Sequence, residues 1–263
     1  MDVDVYEHGV PSWCDLQTAD LEGAKAFYAA LFGWEVPDGP EEAGGYTMGL
    51  VRGRPVAGLG PQMNPGPPAW ATYVNVDDAD DIAAKVTANG GTVLMGPMDV
   101  MDVGRLLVFA DPAGAVCGAW QPKAHLGAGV VNEPNTMCWN ELVTTDVAGA
   151  KAFYGAVFGW GAQDAGDPVV YTEWKLGDRS LGGLMAKPEQ MPAEVPPHWG
   201  VYFAVDDADA MVERATGLGA SVMVRATDIE PGRFAGLLDP SGAAFYVLAR
   251  NDEEHEHPHP HEG

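Results

Sequence analysis

The chain is written twice. Ala24-Lys25-Ala26-Phe27-Tyr28-Ala29-Ala30-Leu31-Phe32-Gly33-Trp34 returns as Ala150-Lys151-Ala152-Phe153-Tyr154-Gly155-Ala156-Val157-Phe158-Gly159-Trp160, identical at 9 of 11 positions with an offset of 126. Tyr73-Val74-Asn75-Val76-Asp77-Asp78-Ala79-Asp80 returns as Tyr202-Phe203-Ala204-Val205-Asp206-Asp207-Ala208-Asp209 at an offset of 129. Asp111-Pro112-Ala113-Gly114 returns as Asp239-Pro240-Ser241-Gly242 at 128. Because the offset drifts by so little, the duplication spans the chain, and 263 residues must fold as two copies of one unit.

Each copy divides again. Trp13–Ala19 alternates like a strand, Asp20 is placed to cap a helix running to about Phe32, and Gly33 supplies the left-handed residue that stops it. Strand-like stretches follow at Tyr46–Val51 and Arg54–Gly60. A second unit opens with Trp70–Val76 and continues into a helix over Ala79–Ala88, stopped by Asn89-Gly90-Gly91. It ends in strands near Thr92–Met95, Arg105–Ala110 and Val116–Gln121, with Asp111-Pro112-Ala113-Gly114 as a hairpin turn. The layout is β-α-β-β-β, four times over. The expected boundaries are a first domain at 1–122, a Gly/Ala-rich linker at 123–135, a second domain at 136–250, and a disordered acidic His/Pro-rich tail at 251–263.

Charge narrows the range of partners. Fourteen basic against 38 acidic residues give a formal charge of −24, and only five of those acids (Asp252, Glu253, Glu254, Glu256, Glu262) lie in the tail. So negative a surface repels phosphate backbones and anionic lipid, which argues against nucleic-acid and membrane partners and leaves a small-molecule ligand. No 18-residue apolar run and no basic leader are present, and Cys14, Cys117 and Cys138 form no CxxC or disulfide framework. The expectation is a reduced, cytoplasmic protein, monomer or homodimer, with its cysteines as buried packing residues.

Four βαβββ modules, a first helix reading Ala-Lys-Ala-Phe-Tyr into Phe-Gly-Trp, and an Asp-Pro-x-Gly turn before the last strand resemble the vicinal oxygen chelate superfamily. That superfamily groups glyoxalase I, extradiol dioxygenases and bleomycin-resistance proteins. Val131-Asn132-Glu133-Pro134 followed by Cys138-Trp139-Asn140-Glu141-Leu142 looks like its tandem two-domain actinobacterial branch, glyoxalase-like or "hydroxylase". The resemblance covers roughly residues 8–250 and implies an α+β fold: two glyoxalase-like domains, each a curved mixed sheet around a cleft with helices outside. Whether modules pair within a half or cross between halves stays open. The fold does not fix the chemistry.

In metal-dependent members, the resemblance implies, His, Gln or Glu ligands come from the first strand of each module and from the last strand. Those positions here carry Trp13 and Trp139, Ala71 and Gly200, Gly118 and Tyr246. Hard and borderline divalent ions need several O or N donors together, so no metal ligand and no cofactor is expected.

On the cleft face of the first strands, a carboxylate follows each tryptophan by two residues: Trp13 then Asp15, Trp139 then Glu141. Buried beside indoles, such acids acquire a raised pKa and suit acid/base catalysis or a hydrogen-bond anchor; the plainer alternative is pairing with arginine or backbone amides. Asp15 and Glu141 are therefore the candidate catalytic residues. Trp13, Tyr73, Trp120, Trp139, Tyr202 and Tyr246 have cleft parity, placed either to stack on a planar ligand or to fill the cleft. Glu173 shares a strand face with Tyr171 and Lys175, where Met48 and Leu50 stand in the first half. His198 has the parity of Gly200, and the glycine-flanked Arg233, like Arg105, stands either at a pocket edge or in a salt bridge to the strand-one acids. These six aromatics with Glu173, His198 and Arg233 are the candidate ligand-binding set. Two functions compete for them: binding of a planar secondary metabolite or antibiotic, and metal-independent hydroxylation, hydration or isomerisation of one. A metal-dependent lyase or dioxygenase is a third. Whether the protein is an enzyme at all is left open.

Overall fold

The computed structural model describes residues 1–63, 65–166 and 170–251. The first half contributes strands β1 (Pro11–Thr18), β2 (Thr47–Val51), β3 (Arg54–Pro61), β4 (Ala69–Asn75), β5 (Thr92–Val100), β6 (Gly104–Ala110) and β7 (Val116–Pro122), with helices α1 (Leu21–Phe32) and α2 (Ala79–Ala88). The second contributes β8 (Met137–Thr144), β9 (Gly161–Ala165), β10 (Tyr171–Leu176), β11 (Arg179–Ala186), β12 (His198–Ala204), β13 (Ser221–Ile229), β14 (Gly232–Leu238) and β15 (Ala244–Arg250), with α3 (Val147–Phe158) and α4 (Ala208–Gly217). The tail expected to be disordered lies, after Asn251, outside the described residues.

Local chemistry sets these elements. Asp20 and Asp146 accept the amides of Gly23 and Gly149 at the starts of α1 and α3, while Gly33 (φ 71°) and Gly159 (φ 78°) end those helices in the left-handed region. One departure from the fourfold pattern follows from proline. The first module has no full strand after its helix, only a bridge between Glu35 and Leu50, because Pro37 and Pro40 withhold the amides a ladder needs. The third module, without those prolines, forms β9.

Modules pair within each half. The first sheet runs β2-β3-β1-β4-β7-β6-β5 and the second β13-β14-β15-β12-β8-β11-β10-β9. In each, the two opening strands meet antiparallel at the centre: Trp13 lies opposite Tyr73, and Trp139 opposite Tyr202. Parity divides each sheet into a convex face bearing helices and a concave face.

The two convex faces are turned on each other, and one half's core continues into the other's. Phe27, Tyr28, Leu31 and Phe32 of α1 share a cluster with Phe203 and Phe245 from β12 and β15. Reciprocally, Phe153, Tyr154 and Phe158 of α3 pack with Phe109 and Leu107 of β6. The helices thus lie outside the clefts but between the sheets. Polar contacts repeat the exchange. Tyr28 donates to the Asp239 carboxylate (2.8 Å) and Tyr154 to Asp111 (2.9 Å), each tyrosine accepting from a tryptophan of its own half, Trp70 or Trp199, at 3.0 Å. Trp34 donates to the Asn135 carbonyl (2.8 Å) and Trp160 to that of Gly9 (2.7 Å). The motifs that repeat in the sequence are therefore the contacts that join the halves.

Tyr28→Phe leaves the buried Trp70 indole without its acceptor and removes one donor from Asp239, which keeps the amides of Ser241 and Ala243. The expected cost is about 1–3 kcal/mol, read as a lowered urea midpoint; a loss below roughly 0.5 kcal/mol would show that this junction does not hold the halves together.

Candidate functional site

Each concave face is organised around one carboxylate. In the first half Asp15 accepts from Tyr73 (3.0 Å) and from Tyr46 (3.1 Å), and Tyr46 in turn accepts from the Trp13 indole (3.0 Å). In the second Glu141 accepts from Tyr202 (3.0 Å) and Tyr171 (2.6 Å), and Tyr171 accepts from Trp139 (2.9 Å). The same four-membered network, Trp to Tyr to carboxylate from Tyr, occurs twice. Trp13, Asp15, Trp139 and Glu141 face the clefts together, as the alternation of strand one dictates.

Small residues leave room for these groups. Asp15 has Gly58 and Ala71 as its strand neighbours, and Glu141 has Gly183 and Gly200. A Cβ at Gly183 would fall 1.7 Å from the Tyr171 hydroxyl, and one at Gly118 would fall 2.3 Å from the Tyr73 ring. Tyr246, stacked on Tyr202 at 4.6 Å, covers Gly200. Aromatic rings thus lie across the positions from which metal-dependent relatives extend ligands. Those positions offer indole, alanine, glycine and one phenol, and no group of three or more His, Cys, Asp or Glu side chains that would hold an ion exists among the described residues. The residues present do not fit a divalent metal.

Burial sets the protonation. Removal from water pushes the Asp15 carboxyl up to about 7 despite two tyrosine donors that pull it down, and raises Glu141 for the same reason against Tyr171 and Tyr202. Tyr73, Tyr46 and Tyr202, buried beside a carboxylate, are held well above the usual phenol range and keep their protons as donors. The carboxylates are the groups that titrate.

The remaining candidates are dispersed. Trp120 lies over Gly104 and donates to the His125 carbonyl (2.8 Å). His198 opens β12, its Nδ1 2.8 Å from the Pro196 carbonyl. Glu173 is bound to Lys175 and Ser180. Arg233 is paired with Asp209 of α4 and Asp228 of β13, and Arg105 with Asp80 of α2 and Asp99 of β5, so neither bridges to a strand-one acid: acids of the adjoining helix and edge strand lie nearer. Cys14, Cys117 and Cys138 are free and buried, and burial raises all three thiols. Sequence reasoning missed Tyr46 and the role of Tyr171. Their recurrence at an offset of 125, each opening the strand pair that follows a first helix, was the available signal. It also missed His125, whose ring stands edge-on to Trp13 at 4.4 Å and beside Trp120 at 5.8 Å.

Paired βαβββ modules around a concave site define a class, and comparison agrees. Residues 11–117 match the glyoxalase/bleomycin resistance protein/dioxygenase superfamily, and residues 136–248 match a glyoxalase-like domain. The chain belongs to that superfamily, with two such domains in tandem. It is 46% identical to a putative glyoxylase, CFP32, of Mycobacterium tuberculosis, over 92% of this chain and 95% of the relative. It is 40% identical to the anthracycline biosynthesis protein DnrV of Streptomyces peucetius, over 91% and 93%. Among solved structures, it superposes on 2,2',3-trihydroxybiphenyl 1,2-dioxygenase from Sphingomonas wittichii with a TM-score of 0.63 at 17% identity, covering 92% of this chain and 90% of that one. A Mn(II)-bound glyoxalase from Novosphingobium aromaticivorans gives 0.63 at 17%, covering 97% and 89%. The last two are likenesses of fold. No helix among the described residues is long and apolar enough to cross a membrane.

The Asp15 carboxyl keeps its proton to about pH 7 in the folded protein against an ordinary 3.8, so between those values the folded state binds more protons than the unfolded chain. Its effect is therefore to lower stability as pH rises through that window. Between about pH 5 and pH 8, Asp15→Asn should gain on the unmodified protein by on the order of 2 kcal/mol in urea unfolding; parallel curves would contradict a buried, pKa-raised Asp15.

Proposed function

We propose that the protein binds a planar, oxygenated polycyclic small molecule on its concave faces, without the family's usual metal centre, the indole and phenol rings stacking on it and the buried carboxylates anchoring an oxygen. The observation that carries this reading is the twofold Trp–Tyr–carboxylate–Tyr network lying where ligating side chains would otherwise project. Rings that bury apolar area and orient by stacking, with a few convergent polar groups, suit a flat aromatic guest. The Streptomyces relatives are named for the biosynthesis of anthracyclines, whose tetracycle contains three flat fused rings, and this supports an aromatic polyketide as the ligand class.

A second reading rests on Asp15 alone. A carboxyl poised near pH 7 exchanges a proton readily with a phenol or an enolisable ketone, so metal-independent acid/base chemistry on the same guest is open to this site.

Titration with alizarin, a dihydroxyanthraquinone, should give saturable quenching of tryptophan fluorescence. Glu141→Gln should weaken it about tenfold if the carboxylate anchors the ligand. Absence of saturable quenching overturns the proposal. Unchanged affinity in Asp15→Asn with loss of turnover would favour the second reading.

A further inference from the structure

The two concave faces share a network but differ at the end remote from the carboxylate. In the second half the apolar floor is Cys138, Ala204, Tyr202, Tyr246 and Leu248, with Phe234 packed against it. Arg250 extends the face of Tyr246 and Leu248 along β15. Its Nη2 donates to the Cys138 carbonyl (3.2 Å), its guanidinium also hydrogen-bonds the Cys138 thiol, and its Nε is buried with no hydrogen-bond partner among the described residues. A buried guanidinium N–H left unpaired is costly, and an oxygen of a guest would satisfy it. Cys138 precedes Glu141 by three residues, which puts Arg250 about 10 Å from that carboxylate along the strand, roughly the length of three fused rings.

The first half has no cation at this place, although the Ser12 hydroxyl and the His125 Nε2 are likewise buried without a hydrogen-bond partner among the described residues. The residue 128 positions before Arg250 is Pro122, and the Ser12 carbonyl, counterpart of that of Cys138, is occupied by the Ala128 amide (2.7 Å). There the chain after β7 turns back over the face, and His125 is wedged against Trp13 and Trp120. Burial lowers this imidazole to about 4, so at neutral pH it is an uncharged filler rather than a cation.

Building on the proposed function, we infer that the guest is taken by the second half alone and must carry an acidic or carbonyl oxygen at the end away from Glu141, read by Arg250. The selected class is a flat polycycle with oxygen at both ends. The guanidinium fork favours the anionic form locally, against the overall charge of −24.

Calorimetric titration with anthraquinone-2-carboxylate and its neutral carboxamide tests this. The unmodified protein should bind one carboxylate per chain, about tenfold more tightly than the carboxamide. Arg250→Gln should abolish the preference, bringing carboxylate affinity down to about that of the carboxamide; its folding is checked by the urea midpoint. If that variant does not fold, Arg250→Lys, which keeps the charge but lacks Nε, should retain only part of the preference. Preference unchanged in either variant, or two guests per chain, overturns the inference while the proposed function stands. Binding of neither probe to the unmodified protein sinks both.

Discussion

The reciprocal junction of Tyr28 with Asp239 and Tyr154 with Asp111 is the contact on which the architecture rests. Each hydroxyl is buried between a tryptophan donor and a carboxylate whose other oxygen caps its own turn through Ala113 and Ala115, or Ser241 and Ala243. The pairing works only when helix and turn come from different halves, so it fixes the sheets back to back. With the convex faces joined in this way, both concave faces are left pointing outward, away from the shared core. Duplication supplies inside one chain the twofold relation that separate subunits would otherwise provide.

That division of labour explains why the most repeated residues are not those of the site. The helix tyrosine, the tryptophan after the helix stop and the Asp-Pro-x-Gly turn are held by one interface and had to stay matched in both copies. The concave faces obey a looser rule. Both keep a carboxylate between two phenols, yet Asp15 faces Ala71 where Glu141 faces Gly200, and Trp120 and Pro122 stand where Leu248 and Arg250 do. The same scaffold therefore carries one face closed over by His125 and one that ends in the Arg250 guanidinium.

Glycine is the counterpart of the aromatic content. Rings can lie along a concave sheet only where the neighbouring strand offers no side chain, and Gly58, Gly118 and Gly183 meet that need for Tyr46, Tyr73 and Tyr171. These glycines leave the rings room to lie flat against the sheet, where they cover it. The low dielectric they create also lifts Asp15 toward neutrality.

The sequence by itself determined the repeat, the four modules, the helix caps and the cleft parity of Trp13, Asp15, Trp139 and Glu141, because periodicity and capping are local and strand alternation is strict. It also carried the family, through motifs within single elements. Tertiary structure alone decided what those motifs grip: Asp111 and Asp239 read as turn residues, and nothing local tells that a tyrosine from the other half donates to each. Tyr46 and Tyr171 reach their carboxylates across one intervening strand, β3 or β11, and Arg233 goes to Asp209 rather than a strand-one acid, because these outcomes depend on sheet order and curvature. Such distances are set by how distant segments pack, a quantity that no single stretch of chain contains.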